Sequence, residues 1–134
     1  MIMNRIIKYG LVIVRNGKFL INKKYNTKMF LMPGGKPKQG ESIKECLTRE
    51  VKEEHKVDLI KNSIKHFGDF EDKATNEPDT IISMKLYLGQ IKGEPTTNRE
   101  IEKQLWFEKH DNPKILSPII KNKILPALIK KKII

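Results

Sequence analysis

Three glutamates fall within the six residues "REVKEE" (Arg49–Glu54). On a helix, Glu50, Glu53 and Glu54 stand at i, i+3 and i+4 and share one face. Like charges at that spacing repel by roughly 0.2–0.5 kcal/mol per exposed pair. They also lie near the end of the helical pattern, where the macrodipole disfavours anions. Just upstream, "PGGKPKQGES" (Pro33–Ser42) brings a Gly-Gly turn, and two residues without Cβ let backbone approach a ligand closely. Clustered carboxylates beside exposed carbonyls form the donor set of a hard divalent cation, Mg²⁺ or Mn²⁺, which would remove the repulsion. Such ions bridge to substrate phosphates and polarise them or activate water. The plain alternative for "REVKEE" taken alone is a solvated, charged helix face.

The register extends beyond the acids. Gly35 is followed after five residues by Glu41, and after seven more by Arg49, Glu50 and Val51, with Glu53, Glu54 and Val57 completing the series. This resembles the Nudix box, G-x5-E-x7-R-E-U-x-E-E-x-G-U, where U is a bulky aliphatic residue. One position departs from it: Lys56 stands where the box has its second glycine. The preceding "FLMPGG" also resembles the family's approach to the box. The resemblance implies an α/β fold, a Nudix-type α/β/α sandwich with a mixed β-sheet between helices, and one Nudix hydrolase domain over residues 1–134. It further implies a pyrophosphohydrolase that uses Mg²⁺ or Mn²⁺. Glu53 and Glu54 would be metal-binding carboxylates, and Glu50 a further ligand or the base that activates water. Arg49 would orient the cluster by ion pairing. A carbonyl of Gly34 or Gly35 would complete the ligands, Lys36 would neutralise a phosphate, and Glu41 would steady the loop.

Outside the box the resemblance is to MutT-like members. A glutamate six residues before a tryptophan supplies a further acid there, and Glu100 stands six before Trp106. Glu102 is its neighbour in the same loop, and a solvated loop acid is the alternative for both. Trp106 reads as core or as a stacking platform. Asn122 matches the asparagine that reads a purine edge, since an amide presents a donor and an acceptor together; an exposed helical asparagine is the alternative. Lys23 or Lys24 would contact a phosphate or stay solvated, and "NEPD" (Asn76–Asp79) would line the substrate mouth or form a plain turn.

These residues need a scaffold. "IIKYGLVIVR", the turn "NGK" and "FLINK" predict a hairpin over Ile6–Lys23. Asn26–Ser42 is mostly loop, with two prolines and three glycines. Ser42 and Glu45 form a capping box that opens a helix running to about His55, with Ile43, Cys46 or Leu47, and Val51 facing a core. Strands are predicted over Asn62–Phe70, Thr80–Ile91 and Lys103–Glu108, and an amphipathic helix from Pro118, interrupted at Pro126. Lys56 follows the box helix where glycine would supply a left-handed cap, so either it adopts that backbone at a cost of up to ~1 kcal/mol or the helix ends elsewhere.

Bulk properties bound the function. The net charge is +11, but only four of the 27 basic residues are arginine, the better reader of phosphate and base, so most lysines read as solvated surface. A single cysteine, Cys46, excludes an internal disulfide and suits a reducing cytoplasm; it reads as a small buried residue rather than a nucleophile. No apolar run approaches the ~20 residues of a membrane span, and the N-terminus reads as a strand rather than a signal peptide. His55, His66 and His110 share no spacing suited to zinc. The partner that the resemblance implies is a nucleotide substrate, most of all a (d)NTP such as 8-oxo-dGTP, and the expected protein is a cytoplasmic monomer or homodimer with no membrane association. Alternatives are ADP-ribose, a dinucleoside polyphosphate or an RNA 5′ end, or a nucleotide- or RNA-binding module without turnover.

Overall fold

The computed structural model describes residues 3–74 and 77–134 of the chain. In order it contains β1 (Asn4–Val12), β2 (Val14–Arg15), β3 (Lys18–Lys24), β4 (Gly34–Gly35), α1 (Ile43–His55), β5 (Asp58–Lys73), β6 (Thr80–Lys92), β7 (Ile101–Glu108), a 3₁₀ turn (Pro113–Ile115), a π turn (Ile120–Ile124) and α2 (Leu125–Lys130). Asn76 of the predicted mouth segment lies outside the described residues. No helix among the described residues is long and apolar enough to cross a membrane.

The predicted hairpin is present but short. Asn16 and Gly17 both take positive φ (53° and 74°), which suits a two-residue hairpin turn, and they join β2 to β3. The longer β1 leaves this hairpin and pairs in parallel with β6, from Asn4 opposite Thr80 to Val12 opposite Leu88. Alternation along a strand marks its two faces but not its partner, so this crossover has no local signal. The result is two sheets in the middle layer, ordered β4-β1-β6-β5 and β2-β3-β7, rather than one. The first is mixed, because β4 and β5 pair antiparallel with β1 and β6.

Period-two alternation sends successive residues to opposite helices. Leu11, Ile13 and Leu20 pack with Leu47 and Val51 of α1. Val12, Phe19 and Ile21 pack with Ile120, Ile124 and Leu128 of the C-terminal helical segment. Helices thus cover both faces of the strands, the α/β/α layering that the resemblance implies.

The capping box is formed: Ser42 Oγ accepts from the Glu45 N–H and Glu45 Oε1 from the Ser42 N–H. At the other end of α1, Lys56 adopts the left-handed conformation itself (φ 56°, ψ 35°), and its N–H donates to the Lys52 carbonyl. The C-terminal helix is interrupted next to Pro126, by a π turn that ends where α2 begins. A prolyl nitrogen cannot donate to the carbonyl four residues back and its ring crowds that carbonyl. The chain meets this with the widened turn just before it, where the Leu125 N–H donates to the Ile120 carbonyl.

The exposed side chain of Lys56 therefore sits on backbone that favours glycine. Lys56→Gly is expected to stabilise the protein by up to ~1 kcal/mol, raising Tm by about 3–5 °C. A lower melting temperature in calorimetry would show that the lysine side chain contributes contacts that outweigh the strain.

Candidate active site

The Gly-Gly loop enters the fold as β4, antiparallel to Tyr9 and Gly10 of β1. Gly34 holds φ at +135°, and a Cβ there would lie 2.0 Å from the Tyr9 carbonyl oxygen, so only glycine fits. Gly35 has another constraint: a Cβ would come within 2.8 Å of the Glu50 carboxylate. Side chain and backbone are thus brought together at the last turns of α1. The buried Glu54, 2% exposed, accepts the Gly34 N–H at 3.0 Å.

Arg49 organises the acids. Its Nε and Nη2 donate to the two Glu41 oxygens at 2.7 and 2.9 Å, and its Nη1 to Glu50 Oε1 at 2.6 Å. Nη1 also lies 3.5 Å from Glu53, and Nη2 donates to the Lys36 carbonyl at 3.2 Å. The Arg49 guanidinium, helped by the Lys38 N–H, lowers the Glu41 pKa to about 2. Glu41 thereby ties the loop over residues 36–41 to the helix rather than facing a ligand.

Glu50, Glu54 and Glu100 line one cavity of about 460 Å³ together with Gly34, Gly35 and Arg49. Burial, with the charges of Glu50 and Glu100 adding to it, pushes the Glu54 carboxyl up to about 8 against the lowering by the Gly34 N–H. Burial also raises the pKa of Glu50. Among the described residues no three acidic, imidazole or thiol groups converge into a coordination set. Arg49 takes Glu50 and Glu53, while Gly34 takes one oxygen of Glu54.

The remaining sequence candidates separate cleanly. Lys24, Lys36 and Glu100 line the cavity, whereas Lys23 and Glu102 pair with each other and are not among the lining residues. Glu53 is not among the lining residues; its backbone carbonyl accepts from Asn98 Nδ2 at 2.8 Å. Asn122 is not brought to the cavity either. It is exposed on the π turn and donates through Nδ2 to Asp72 Oδ2 at 3.0 Å. Trp106 packs against the α1 core cluster with the Arg15 guanidinium 5.7 Å from its ring centre, outside the cavity wall. Cys46 is fully buried, and burial raises its thiol to about 11.

Several lining residues carry no sequence signal. Asn22, 1% exposed, donates through Nδ2 to His55 Nε2 at 2.9 Å. Gln104 Nε2 donates to the Pro95 carbonyl at 2.7 Å, which leaves its Oε1 to accept from His55 Nδ1 at 2.9 Å. His55 is thereby a neutral Nδ1–H tautomer, and burial lowers its pKa in keeping with that. The apolar part of the wall comes from Met29, Leu31, Met32, Ile82, Met84 and Ile119. Ser117 lies beside them, its Oγ buried without a partner among the described residues. An acidic, glycine-backed end and an apolar end in one cavity suit a ligand with a charged chain and a flat apolar head.

Comparison with known proteins bears on this arrangement. The model of the NUDIX domain family matches residues 6–128. Over 108 residues the chain is 30% identical to the mRNA-decapping protein OPG122 of Vaccinia virus (strain Western Reserve), covering 75% of this chain and 44% of that one. The chain therefore spans less than half the length of this curated relative. It is 27% identical over 107 residues to the ADP-ribose pyrophosphatase of Methanocaldococcus jannaschii, covering 78% of this chain and 62% of that one. In fold it is similar to the MutT protein from Methanosarcina mazei Go1, with a TM-score of 0.79, 18% identity and 98% of both chains covered.

The two glycines are expected to respond differently to alanine. Gly34→Ala forces a Cβ into backbone at positive φ and should destabilise by more than ~2 kcal/mol in denaturant titration. In Gly35→Ala the clash is with the end of a flexible side chain, so stability should stay within ~1 kcal/mol while the Glu50 carboxylate is displaced. Equal losses in the two variants would contradict this division.

Proposed function

The chain belongs to the NUDIX domain family, and on that premise we propose that it hydrolyses the pyrophosphate bond of a nucleoside-diphosphate-linked substrate, above all a (d)NTP, to the monophosphate and pyrophosphate. The observation that carries this reading is the cavity itself, in which Glu50, Glu54 and Glu100 share a wall with the Gly34-Gly35 backbone and the Arg49 guanidinium. The donor chemistry suits a divalent cation, being all oxygen and including a buried carboxyl that desolvation disfavours as an anion. The cation would have to draw Glu50 and Glu53 from Arg49 and Glu54 from the Gly34 N–H. Glu50, Glu53, Glu54 and Glu100, with a Gly34 carbonyl, would hold Mg²⁺ or Mn²⁺. When bound, such a cation offsets phosphate charge and lowers the pKa of coordinated water.

The chain's own groups supply the rest. Arg49 keeps the Glu50 carboxylate against the Gly35 backbone, where it can accept the proton of the attacking water. Lys24 and Lys36 donate to phosphate oxygens and hold the chain in line for attack. The methionine-rich wall excludes water and takes the base, with Ser117 as a polar contact inside it, a task that Asn122 cannot perform from outside the cavity. Thioethers adapt to shape, which suits a modified purine such as 8-oxoguanine as well as a normal one.

A second reading, hydrolysis at an RNA 5′ end, is favoured by the similarity to a decapping protein and by the +11 net charge. It requires binding that weakens steeply with salt, in proportion to the phosphates contacted.

A Mg²⁺-dependent screen over (d)NTPs, 8-oxo-dGTP, ADP-ribose, dinucleoside polyphosphates and 5′-triphosphate RNA distinguishes these substrates. Glu50→Gln is expected to lower kcat by about 10²–10⁴-fold. Glu53→Gln or Glu54→Gln should abolish turnover of every substrate. Because burial already disfavours the Glu54 carboxyl as an anion, the neutral amide of Glu54→Gln replaces it at little cost, and the metal-free variant should melt no lower than the parent. Turnover persisting in both of the last two variants would rule out the proposed metal site.

A further inference from the structure

Lys8 lies on β1 two residues before Gly10, on the face that meets Met84, and it lines the same cavity. A lysine turned toward the space between packed strands normally has an acidic partner. Among the described residues Lys8 forms no ion pair, and neither do Lys24 and Lys36, which share the cavity with it. Burial lowers its pKa, and the charges of Lys24 and Lys36 add to that effect; those of Glu77 and Glu54 oppose it from beyond ion-pair distance. Three lysines therefore line one pocket, and among the described residues none of them is held in an ion pair with the acids that share it. An unpaired, partly desolvated cluster of this kind is an anion site, and ammonium groups suit phosphate oxygens as point charges.

We propose that Lys8, with Lys24 and Lys36, forms a subsite for the free terminal phosphoryl group of a polyphosphate chain, making Lys8 a specificity-determining residue for nucleoside triphosphates over diphosphate diesters. The proposal rests on the pyrophosphohydrolase reading and narrows its substrate class. A diester such as ADP-ribose has no dianionic terminus and leaves the Lys8 ammonium unpaired. A nucleoside triphosphate, or an RNA with a 5′-triphosphate, supplies that terminus. Lys8 is distinct from the acids that would hold the cation, and its effect falls on binding of the chain rather than on water attack.

The test uses inorganic tripolyphosphate and metal-chelated protein, so that binding is read apart from turnover. Calorimetry should show Kd rising about tenfold or more in Lys8→Met, which keeps the stem and removes the charge. Lys8→Arg should stay within about threefold of the parent. Lys130→Met, an exposed lysine in α2, controls for net charge and should not change Kd. Equal affinities in Lys8→Met and Lys130→Met would overturn the subsite. Melting curves establish that Lys8→Met is folded, and a Lys8→Leu variant replaces it if it is not. In steady state, Lys8→Met should raise KM for a nucleoside triphosphate while leaving kcat within about twofold; an equal loss on ADP-ribose would also overturn the proposal. Absence of turnover of any pyrophosphate substrate by the parent protein would refute the enzymatic reading instead, and tripolyphosphate binding would still decide the subsite.

Discussion

The arrangement depends on one guanidinium. Five glutamates, Glu41, Glu50, Glu53, Glu54 and Glu100, stand around the end of α1 and the Gly-Gly loop, and without a cation their repulsion would splay the loop from the helix. Arg49 prevents this with directional bonds to Glu41 and Glu50, a contact with Glu53 and a bond to the Lys36 carbonyl. A planar fork can hold several carboxylates at once in fixed relation, which a lysine at this position could not. Because Glu41 closes the loop through the Lys38 N–H as well, the loop is tied through Arg49 to the helix and to the cavity wall. The glycines answer the same constraint from the other side, since Gly35 leaves the space that the Glu50 carboxylate fills.

A second set of bonds brings in Glu100, which is distant from the box in sequence. The last carbonyls of a helix have no partners within it. Here the Thr96 N–H takes the His55 carbonyl at 3.0 Å and Asn98 Nδ2 takes that of Glu53 at 2.8 Å. The buried chain Asn22–His55–Gln104–Pro95 fastens the same region to β3 and β7. Every donor in that chain has an acceptor, the condition under which a buried polar network specifies geometry instead of weakening the core. The strained left-handed Lys56 is tolerable in this setting, because the helix end is held by its neighbours as well as by its own cap.

Much of this was legible where the signal is local. The Ser42–Glu45 cap, the turn at Asn16–Lys18 and the strand expected over Thr80–Ile91 are each written in a short run of residues; the cap and turn form, and the strand runs one residue further, to Lys92. The parallel pairing of β1 with β6 was not legible, since neither strand names its partner. The interruption at Pro126 was legible because a prolyl nitrogen breaks the helical hydrogen-bond series, but its form, a single π turn just before it, was not. For Asn122 a motif match gives a register but not a placement: on the π turn its side chain bonds Asp72 and is not among the residues lining the cavity. Conversely Lys8, Asn22 and Ser117 look like ordinary strand or loop residues, and only the crossing of distant strands makes them neighbours in one cavity.

The cavity holds both signs of charge without letting them neutralise each other. Lys8, Lys24 and Lys36 face the same space as Glu50, Glu54 and Glu100, and direct pairing would relieve the burial of Glu54 and of Lys8 together. Two of the acids are instead held from behind, Glu50 by Arg49 and Glu54 by the Gly34 N–H. Side-chain choices that leave charges buried and unpaired lower stability, and they persist where function requires them. The gap between the two groups has a definite charge order. A cation against the acids and a phosphate chain against the cation and the lysines would alternate in sign across it. On this reading the cavity is preorganised: the cost of holding like charges together is met during folding, and the electrostatic gain is released when substrate and cation enter.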